Sequence, residues 1–462
     1  MIDAIRKSAM LAFFPVLASV ANAATMPDVR FATFNASLNR NAAGQLVDDL
    51  SVPPVPNSTG SGVNADQTKR IQQAKNVSEI IQRVNPDVLL VNEFDFVANS
   101  QAVNLFNTNF LAVSQNGQTP VNYTHTFVAP SNTGIHSGKD LNNNGVIVST
   151  PLAAGYGDDA FGFGNFEGQF GMAFFSKYPI VNTATVKPRT FQNFLWKDMP
   201  GNLLTNDPTI DNPGTAVNEN LNGFYSPDEI AILRLSSKSH WDVPIQVGDE
   251  IIHVLMSHPT PPVFDGTEDR NGKRNHDEIR FWSDYVSGQN YMYDDNLAFG
   301  GLEAGARFVI MGDQNADPKD GDSFNFAINQ LLQNPMINTS NTPASIGAVE
   351  AALAQGGINN SHLSPSSFDT ADFADGTPGN LRADYVLPSG NLAILNSGVF
   401  WPGQSDPLLS IVGNFNSQQP NGFASSDHRL VFVDVNAVPE PTSLTMLGLA
   451  VAGLAFRRRF AR

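Results

Sequence analysis

Apolar residues along the chain gather in short runs, each closed by a polar or turn-forming residue. Such runs span Val29–Phe34, Val88–Val91, Gly171–Phe175, Ile251–Met256, Phe308–Met311, Tyr385–Leu387 and Leu430–Val435, and each predicts a buried β-strand. Between Asp66 and Val84 the apolar positions instead follow helical spacing, at Ile71, Ala74, Val77, Ile80, Ile81 and Val84, and the pattern stops before Asn85-Pro86. Shorter helices are expected to begin at Asp277–Tyr285 and Ser323–Leu332. Strands interleaved with helices define an α/β protein. Three stretches, 41–62, 131–168 and 193–225, are rich in turn formers and read as long loops, which in compact domains usually form functional rims.

The two ends read differently. Arg6 and Lys7 precede an apolar run from Ala9 to Val20 and then Ala21-Asn22-Ala23, the layout of a signal peptide over residues 1–23 with export of the remainder. At the other end Val438-Pro439-Glu440-Pro441 leads into an apolar stretch, Leu444 to Phe456, and then Arg457, Arg458 and Arg459. Prolines break any preceding element, the stretch is short for a full span, and the arginines would stay on the cytoplasmic side. Residues 438–462 thus resemble a PEP-CTERM sorting tail. The resemblance implies transient inner-membrane anchoring, cleavage by an exosortase-type processing enzyme, and a final place in the cell envelope or outside the cell. Residues 24–437 are expected to form one catalytic domain, monomeric.

The chain has no cysteine, so an exported fold must do without disulfides and no thiol can serve as nucleophile. Forty-four acidic against 27 basic residues give a formal charge of −17. A general nucleic-acid binder needs the opposite sign, so a polyanionic substrate would have to be held by a local basic patch or by metal.

Candidate chemistry sits where the strands end. Asn35 closes the first, Glu93 the second, His258 follows the fourth, and Asp313 with Asn315 closes the fifth; Arg382-Ala-Asp384 and Ser425-Ser-Asp427-His428 complete the series. Polar groups at successive strand ends converge on one rim of a sheet, where sites in α/β folds form. These blocks, in this order, resemble the endonuclease/exonuclease/phosphatase superfamily, which includes pancreatic-type deoxyribonucleases, abasic-site endonucleases, inositol-phosphate phosphatases and bacterial sphingomyelinases.

The resemblance implies a four-layer α/β sandwich of two packed mixed sheets flanked by helices, and a phosphoesterase that uses Mg²⁺, Mn²⁺ or Ca²⁺. Hard oxygen donors without thiols suit those ions. On this reading Glu93, Asp427 and Asn35 form the metal shell, while Asp313 and Asn315 orient and deprotonate the attacking water. His428 contacts a phosphate oxygen with Asp384 fixing its tautomer, and His258 supplies a second cationic contact. His253, inside the strand that ends at His258, is expected to be structural.

Some positions depart from the family pattern. Ser37 stands where some abasic-site endonucleases carry an acidic residue, which leaves the number of metals open. The cluster Arg270, Lys273, Arg274 and Arg280 reads either as a solvated helix start or as a phosphate-binding patch, with Arg274 and Arg280 as candidate substrate contacts. Asp140, Asn142 and Asn144 match half of a calcium loop, but Pro151 replaces the bidentate Glu, and a plain turn is expected. Nucleic acid, a small phosphoester and a phospholipid headgroup all remain open as substrates, and a non-catalytic surface or matrix protein on the same fold is the alternative.

Overall fold

The computed structural model describes residues 26–53, 63–205, 221, 223–415 and 417–437. The signal peptide and sorting tail expected at the two ends lie outside the described residues. Eleven strands occur among them: β1 Val29–Leu38, β2 Val88–Phe94, β3 His125–Phe127, β4 Met172–Ser176, β5 Arg189–Thr190, β6 Trp241–Val247, β7 Glu250–Met256, β8 Arg307–Asp313, β9 Asp384–Pro388, β10 Leu392–Val399 and β11 Val431–Ala437. They form a six-stranded sheet in the order β10-β11-β1-β2-β4-β3 and a five-stranded sheet in the order β5-β6-β7-β8-β9. Both are mixed: β1 and β2 run parallel, as do β7 and β8, and the remaining pairings are antiparallel.

Strand alternation sorts each strand's side chains between two cores. Phe31, Leu90, Phe174 and Val433 of one sheet meet Val243, Val254, Met311 and Val386 of the other in the central core. The opposite face of the six-stranded sheet, with Ala32, Phe34, Leu89 and Phe175, is covered by Ala74, Val77 and Ile81. These last belong to the helix Ala65–Val84, which starts where the Asn64 side chain accepts from the Gln67 amide at 2.9 Å and stops at Asn85, in the left-handed conformation. On the far side, Ile279, Phe281, Trp282 and Tyr285 of the helix Arg270–Val286 cover Phe308, Ile310 and Leu387. Helix, sheet, sheet and helix make the expected four-layer sandwich. Each fully buried Val, Leu, Ile or Phe in such layers contributes about 2 kcal/mol of apolar transfer free energy, and no disulfide is needed.

Several local expectations change. The first strand does not end at Asn35 but continues to Leu38 through a register shift between those two residues. The helix expected from Asp277 begins earlier, at Arg270, so the basic cluster lies within it. Ser323–Leu332 holds only a single tight turn at Phe324–Phe326 and a short helix, Asn329–Leu332, because Asn325 adopts φ 49° and interrupts the run. The expected loop 41–62 contains a helix, Gln45–Leu50. Among the described residues no helix is long and apolar enough to cross a membrane.

Glu278, buried on the helix Arg270–Val286, ties that helix to two loops at the end of the sandwich. Its carboxylate accepts from the Ser237 amide at 2.6 Å and from the Thr260 amide at 2.6 Å, and its carbonyl lies 2.9 Å from His240 Nε2. His240 Nδ1 in turn meets Ser236 Oγ. Burial pushes the His240 pKa from 6.5 down to about 4, so the folded protein holds this ring neutral. Between those two values the unfolded chain binds more protons than the folded one. This contribution to stability is therefore complete above the unfolded value and is lost as pH falls toward the folded one, by up to on the order of 3 kcal/mol. The expected result is a melting temperature that drops between pH 6.5 and about 4, with a shallower drop for His240→Gln. Parallel profiles for the two proteins would contradict a buried neutral His240.

Candidate active site

Toward one end of the sandwich the central core stops being apolar. On β8, Val309 and Met311 face the opposing sheet and Asp313 continues the same alternation; on β9, Asp384 precedes Val386 in the same way. Asp313 and Asp384 are paired across the two strands. Asn35 and Asn92 are likewise paired, on the faces that Phe31 and Leu90 place inward. The strand-end residues thus meet between the sheets.

Three tight backbone features set their directions. Gly312, at φ 147°, lies so close to the neighbouring strand that a Cβ would stand 2.0 Å from the Ser257 carbonyl oxygen, and this closeness brings the segment leading to His258 beside Asp313. Glu93 has φ 55°, which breaks alternation and turns its side chain toward the sheet end. Ser37, at φ 47°, bends the chain so that its amide reaches Asn35 Oδ1 at 3.3 Å. Left-handed backbone in such residues costs on the order of 1–3 kcal/mol and collects at functional sites.

Asp313 is the hub. Its Oδ2 accepts from Asn35 Nδ2 at 3.1 Å and lies 3.3 Å from His258 Nε2 and 3.6 Å from His428 Nε2. Its Oδ1 accepts from the Asn315 amide at 2.8 Å, and the Asn315 side chain donates to the Pro259 carbonyl at 3.2 Å. Asn35 Nδ2 also reaches Glu93 Oε1 at 3.1 Å. His428 Nδ1 and Asp384 Oδ2 are 2.8 Å apart, and Thr370 Oγ1 donates to the same Oδ2 at 2.8 Å. Asp427 accepts from Ser37 Oγ at 3.2 Å. Asn35, Glu93, His258, Asp313, Asn315, Asp384, Asp427 and His428 are therefore brought to one place, and all but Asn35 and Asp384 line a cleft of about 310 Å³.

Electrostatics divides the group. Burial disfavours a charged Asp313, but His428, His258 and Asn35 outweigh it and hold the carboxyl well below its usual range. Burial also works against a charged His428, yet Asp384 and Asp313 keep it protonated well above the ordinary imidazole value. Burial raises Asp384 to about 6 against the pull of His428, so this pair is ionised at neutral pH. Glu93 is pushed up to about 7 by burial and then by Asp427.

His258 requires a correction. Burial, and then the charge of Lys238, push its pKa down to about 4, and its buried Nδ1 has no hydrogen-bond partner among the described residues. A protonated ring would leave that N–H unsatisfied at considerable cost. His258 is therefore neutral and donates through Nε2 to Asp313, and the other basic group there is Lys238, whose pKa burial lowers against the pull of Glu278, Glu93 and Asp313. That lysine, 6 % exposed, was not singled out from the sequence. It sits in the loop that Glu278 ties down, and its hydrogen bond is to the Pro259 carbonyl at 3.4 Å.

The arginines expected to bind substrate both lie on the helix Arg270–Val286. Arg274 lines a second cleft beside Glu93 and His258, but its guanidinium donates to the carbonyls of Leu235, Phe161 and Arg234. Arg280, further along the helix, donates to the Pro200 and Gly201 carbonyls and pairs with Asp284. In the half-matched calcium loop, Asp140 and Asn142 accept from the Asn144 amide, Asp140 also from Gly145, and Asn144 from Val146, so their oxygens close a turn. His253 is held by Asp242 at 2.8 Å in the interior of the five-stranded sheet, as a structural residue would be.

No curated protein matches the chain. Solved structures with similar folds include an endonuclease/exonuclease/phosphatase from Beutenbergia cavernae DSM 12333, at 15% identity and TM-score 0.42, covering 90% of this chain and 73% of that one. Sphingomyelinase C from Streptomyces griseocarneus shows 12% identity and TM-score 0.43, covering 89% and 100%. A Staphylococcus aureus beta toxin mutant with bound magnesium ions shows 11% identity and TM-score 0.40, again covering 89% and 100%. The PEP-CTERM protein-sorting motif matches residues 437–459. Residues 32–428, nearly the whole span from the first strand to His428, match the model of the Endonuclease/Exonuclease/phosphatase family, and the chain belongs to that family of phosphoester hydrolases.

Proposed function

We propose that residues 24–437 are an exported, divalent-metal-dependent phosphoesterase, a monomer that hydrolyses a phosphodiester or phosphomonoester by in-line attack of water. The observation that carries this reading is the convergence on Asp313 of three strand-end groups, Asn35 at 3.1 Å, His258 at 3.3 Å and His428 at 3.6 Å, next to the crowded carboxylates of Glu93 and Asp427.

Mg²⁺, or Mn²⁺ or Ca²⁺ in its place, suits the donors present. Glu93, Asp427 and Asn35 would hold it: burial, and then the nearby charge of Asp427, lift Glu93 to about 7, a penalty on its charged form that a cation would relieve, and Asn35 Oδ1 has a single hydrogen bond, from the Ser37 amide at 3.3 Å. Asp313, Asp384 and His428 also lie close enough together to suggest a metal group. There the imidazole is protonated by its pairing with Asp384, and a protonated imidazole has no lone pair to give. When bound, a divalent cation neutralises charge that develops on the phosphate and the leaving oxygen.

The protein's own groups do the rest. Asp313 and Asn315 orient the water, and Asp313 accepts its proton as the new bond to phosphorus makes that water acidic. His428, held by Asp384 and Thr370, keeps its Nε2–H at 3.6 Å from Asp313, beyond a good hydrogen bond, and so has it to give to a non-bridging phosphate oxygen. The sorting motif supports export with transient inner-membrane anchoring, cleavage near Pro439-Glu440-Pro441 by an exosortase-type enzyme, and residence in the cell envelope or medium.

Hydrolysis of bis-p-nitrophenyl phosphate, p-nitrophenyl phosphate, DNA or phospholipid is expected to stop with EDTA and return with Mg²⁺ or Mn²⁺. Activity that survives exhaustive chelation would remove the metal from this account. In a double-mutant cycle His428→Ala should lower kcat by on the order of 10² to 10⁴, and Asp384→Asn should lose a substantial part of that. Because the two act as one unit, the double variant should be little worse than His428→Ala. Losses that sum in free energy, in variants with native circular dichroism, would show two independent residues.

A further inference from the structure

Beside the carboxylate cleft lies a second one, of about 530 Å³, that shares Glu93, His258, Pro261, Val263 and Phe264 with it. Its walls are of another kind. Leu141, Phe163, Phe170 and Leu233 line it together with Val263 and Phe264. Of these, Phe163 is 57% exposed and Phe264 is 88% exposed. Phe264 also has φ 67°, a conformation that bulky side chains rarely adopt. A phenyl ring held in water, in strained backbone, at the mouth of a cleft that opens onto the catalytic carboxylates is unfavourable twice over. Such features persist where a ligand covers them.

Three cations line the same cleft, and two are already engaged. Arg274 gives its donors to backbone carbonyls, and Arg270 pairs with Glu268 and lies over the Phe224 ring. Lys238 differs: it is 6% exposed, and its ammonium, with three N–H groups, makes one long hydrogen bond, 3.4 Å to the Pro259 carbonyl. It therefore has donors to spare at the point where the apolar cleft meets Glu93 and His258.

Resting on the phosphoesterase reading, we propose that this cleft receives a large apolar substituent of the substrate, and that Lys238 binds a non-bridging oxygen of the phosphate at its inner end. The substrate class is then an amphiphilic phosphodiester bearing an alkyl or acyl chain. A polynucleotide fits poorly, because the walls are mainly apolar and the chain's formal charge is −17.

Methyl p-nitrophenyl phosphate and octyl p-nitrophenyl phosphate, both kept monomeric, test this with full-length protein and Mn²⁺. Water attacks phosphorus and the P–O bond to p-nitrophenolate breaks in each, so only the retained substituent differs. The octyl ester is expected to exceed the methyl ester in kcat/KM by at least about tenfold, a modest demand for an apolar pocket that takes up several methylenes. Phe163→Ser and Phe264→Ser should shrink that ratio, and Lys238→Met should lower kcat/KM for both esters. Equal kcat/KM for the two esters, or faster cleavage of a DNA oligonucleotide than of the octyl ester, would overturn the inference and leave the phosphoesterase reading standing. No hydrolysis of any of the three diesters would overturn the inference, and failure on the monoester p-nitrophenyl phosphate as well would overturn the phosphoesterase reading with it.

Discussion

A carboxylate buried between two β-sheets stays charged only if its surroundings replace the water it has lost. Asp313 is 1% exposed, and the structure around it answers that demand. Asn35 arrives from one sheet, His258 and His428 from loops that follow or precede strands of the two sheets, and the Asn315 amide closes the other oxygen. Each of these groups is held by something else in turn: Ser37 and Ser426 at the Asn35 bulge, Asp384 and Thr370 behind His428, Gly312 under the approach of β8 to the segment before His258. Removing the Asp313 carboxylate would leave the buried His258 Nε2–H and the Asn315 amide without this acceptor. The sandwich and the site are one construction, since the alternation that packs Val309 and Met311 also delivers Asp313.

The charges around this hub differ in sign and purpose. His428 is protonated because two carboxylates face it, whereas His258, within reach of the same Asp313, is neutral because burial and Lys238 oppose a second positive charge there. Glu93 and Asp427 feel positive charge only at a distance and form no ion pair within 4 Å among the described residues, so a divalent ion suits them better than it suits the ionised Asp384–His428 pair. A protein of net charge −17 can thus handle phosphate through a few buried positive groups, without a basic surface.

Much of this was legible in the sequence wherever local pattern and chemistry coincide. The helix Ala65–Val84 follows from its apolar spacing and its stop before Asn85-Pro86, and Asp313, Asp384 and Asp427-His428 stand next to apolar runs that read as strands. β6 was not legible, because Asp242 and Pro244 interrupt its run. Pro244 is tolerated because, on the edge away from β7, the bridge to residues 179–181 uses its carbonyl, which accepts from the Val181 amide at 2.8 Å, and asks for no N–H at the proline. β10, with Asn396, Ser397 and Gly398, hides its strand in turn-forming residues. Lys238 escaped for a different reason. Ser236-Ser-Lys-Ser-His240 has no motif, and its place is fixed by Glu278, 41 residues from Ser237, a kind of contact that local periodicity does not encode. The same holds for His258: its ring type suggested a cation, and its burial, with Lys238 beside it, argues for a neutral ring.

The central claim is that the buried polar end of the sandwich is divided, with an ionised Asp384–His428 pair on one side and a cation-binding set at Glu93, Asp427 and Asn35 on the other. Anomalous scattering from a crystal soaked in Mn²⁺ tests it most directly. The account requires a peak within bonding distance, about 2.2 Å, of Glu93 and Asp427 oxygens, with the His428 to Asp384 hydrogen bond intact. A peak seated among Asp313, Asp384 and His428 instead would contradict it.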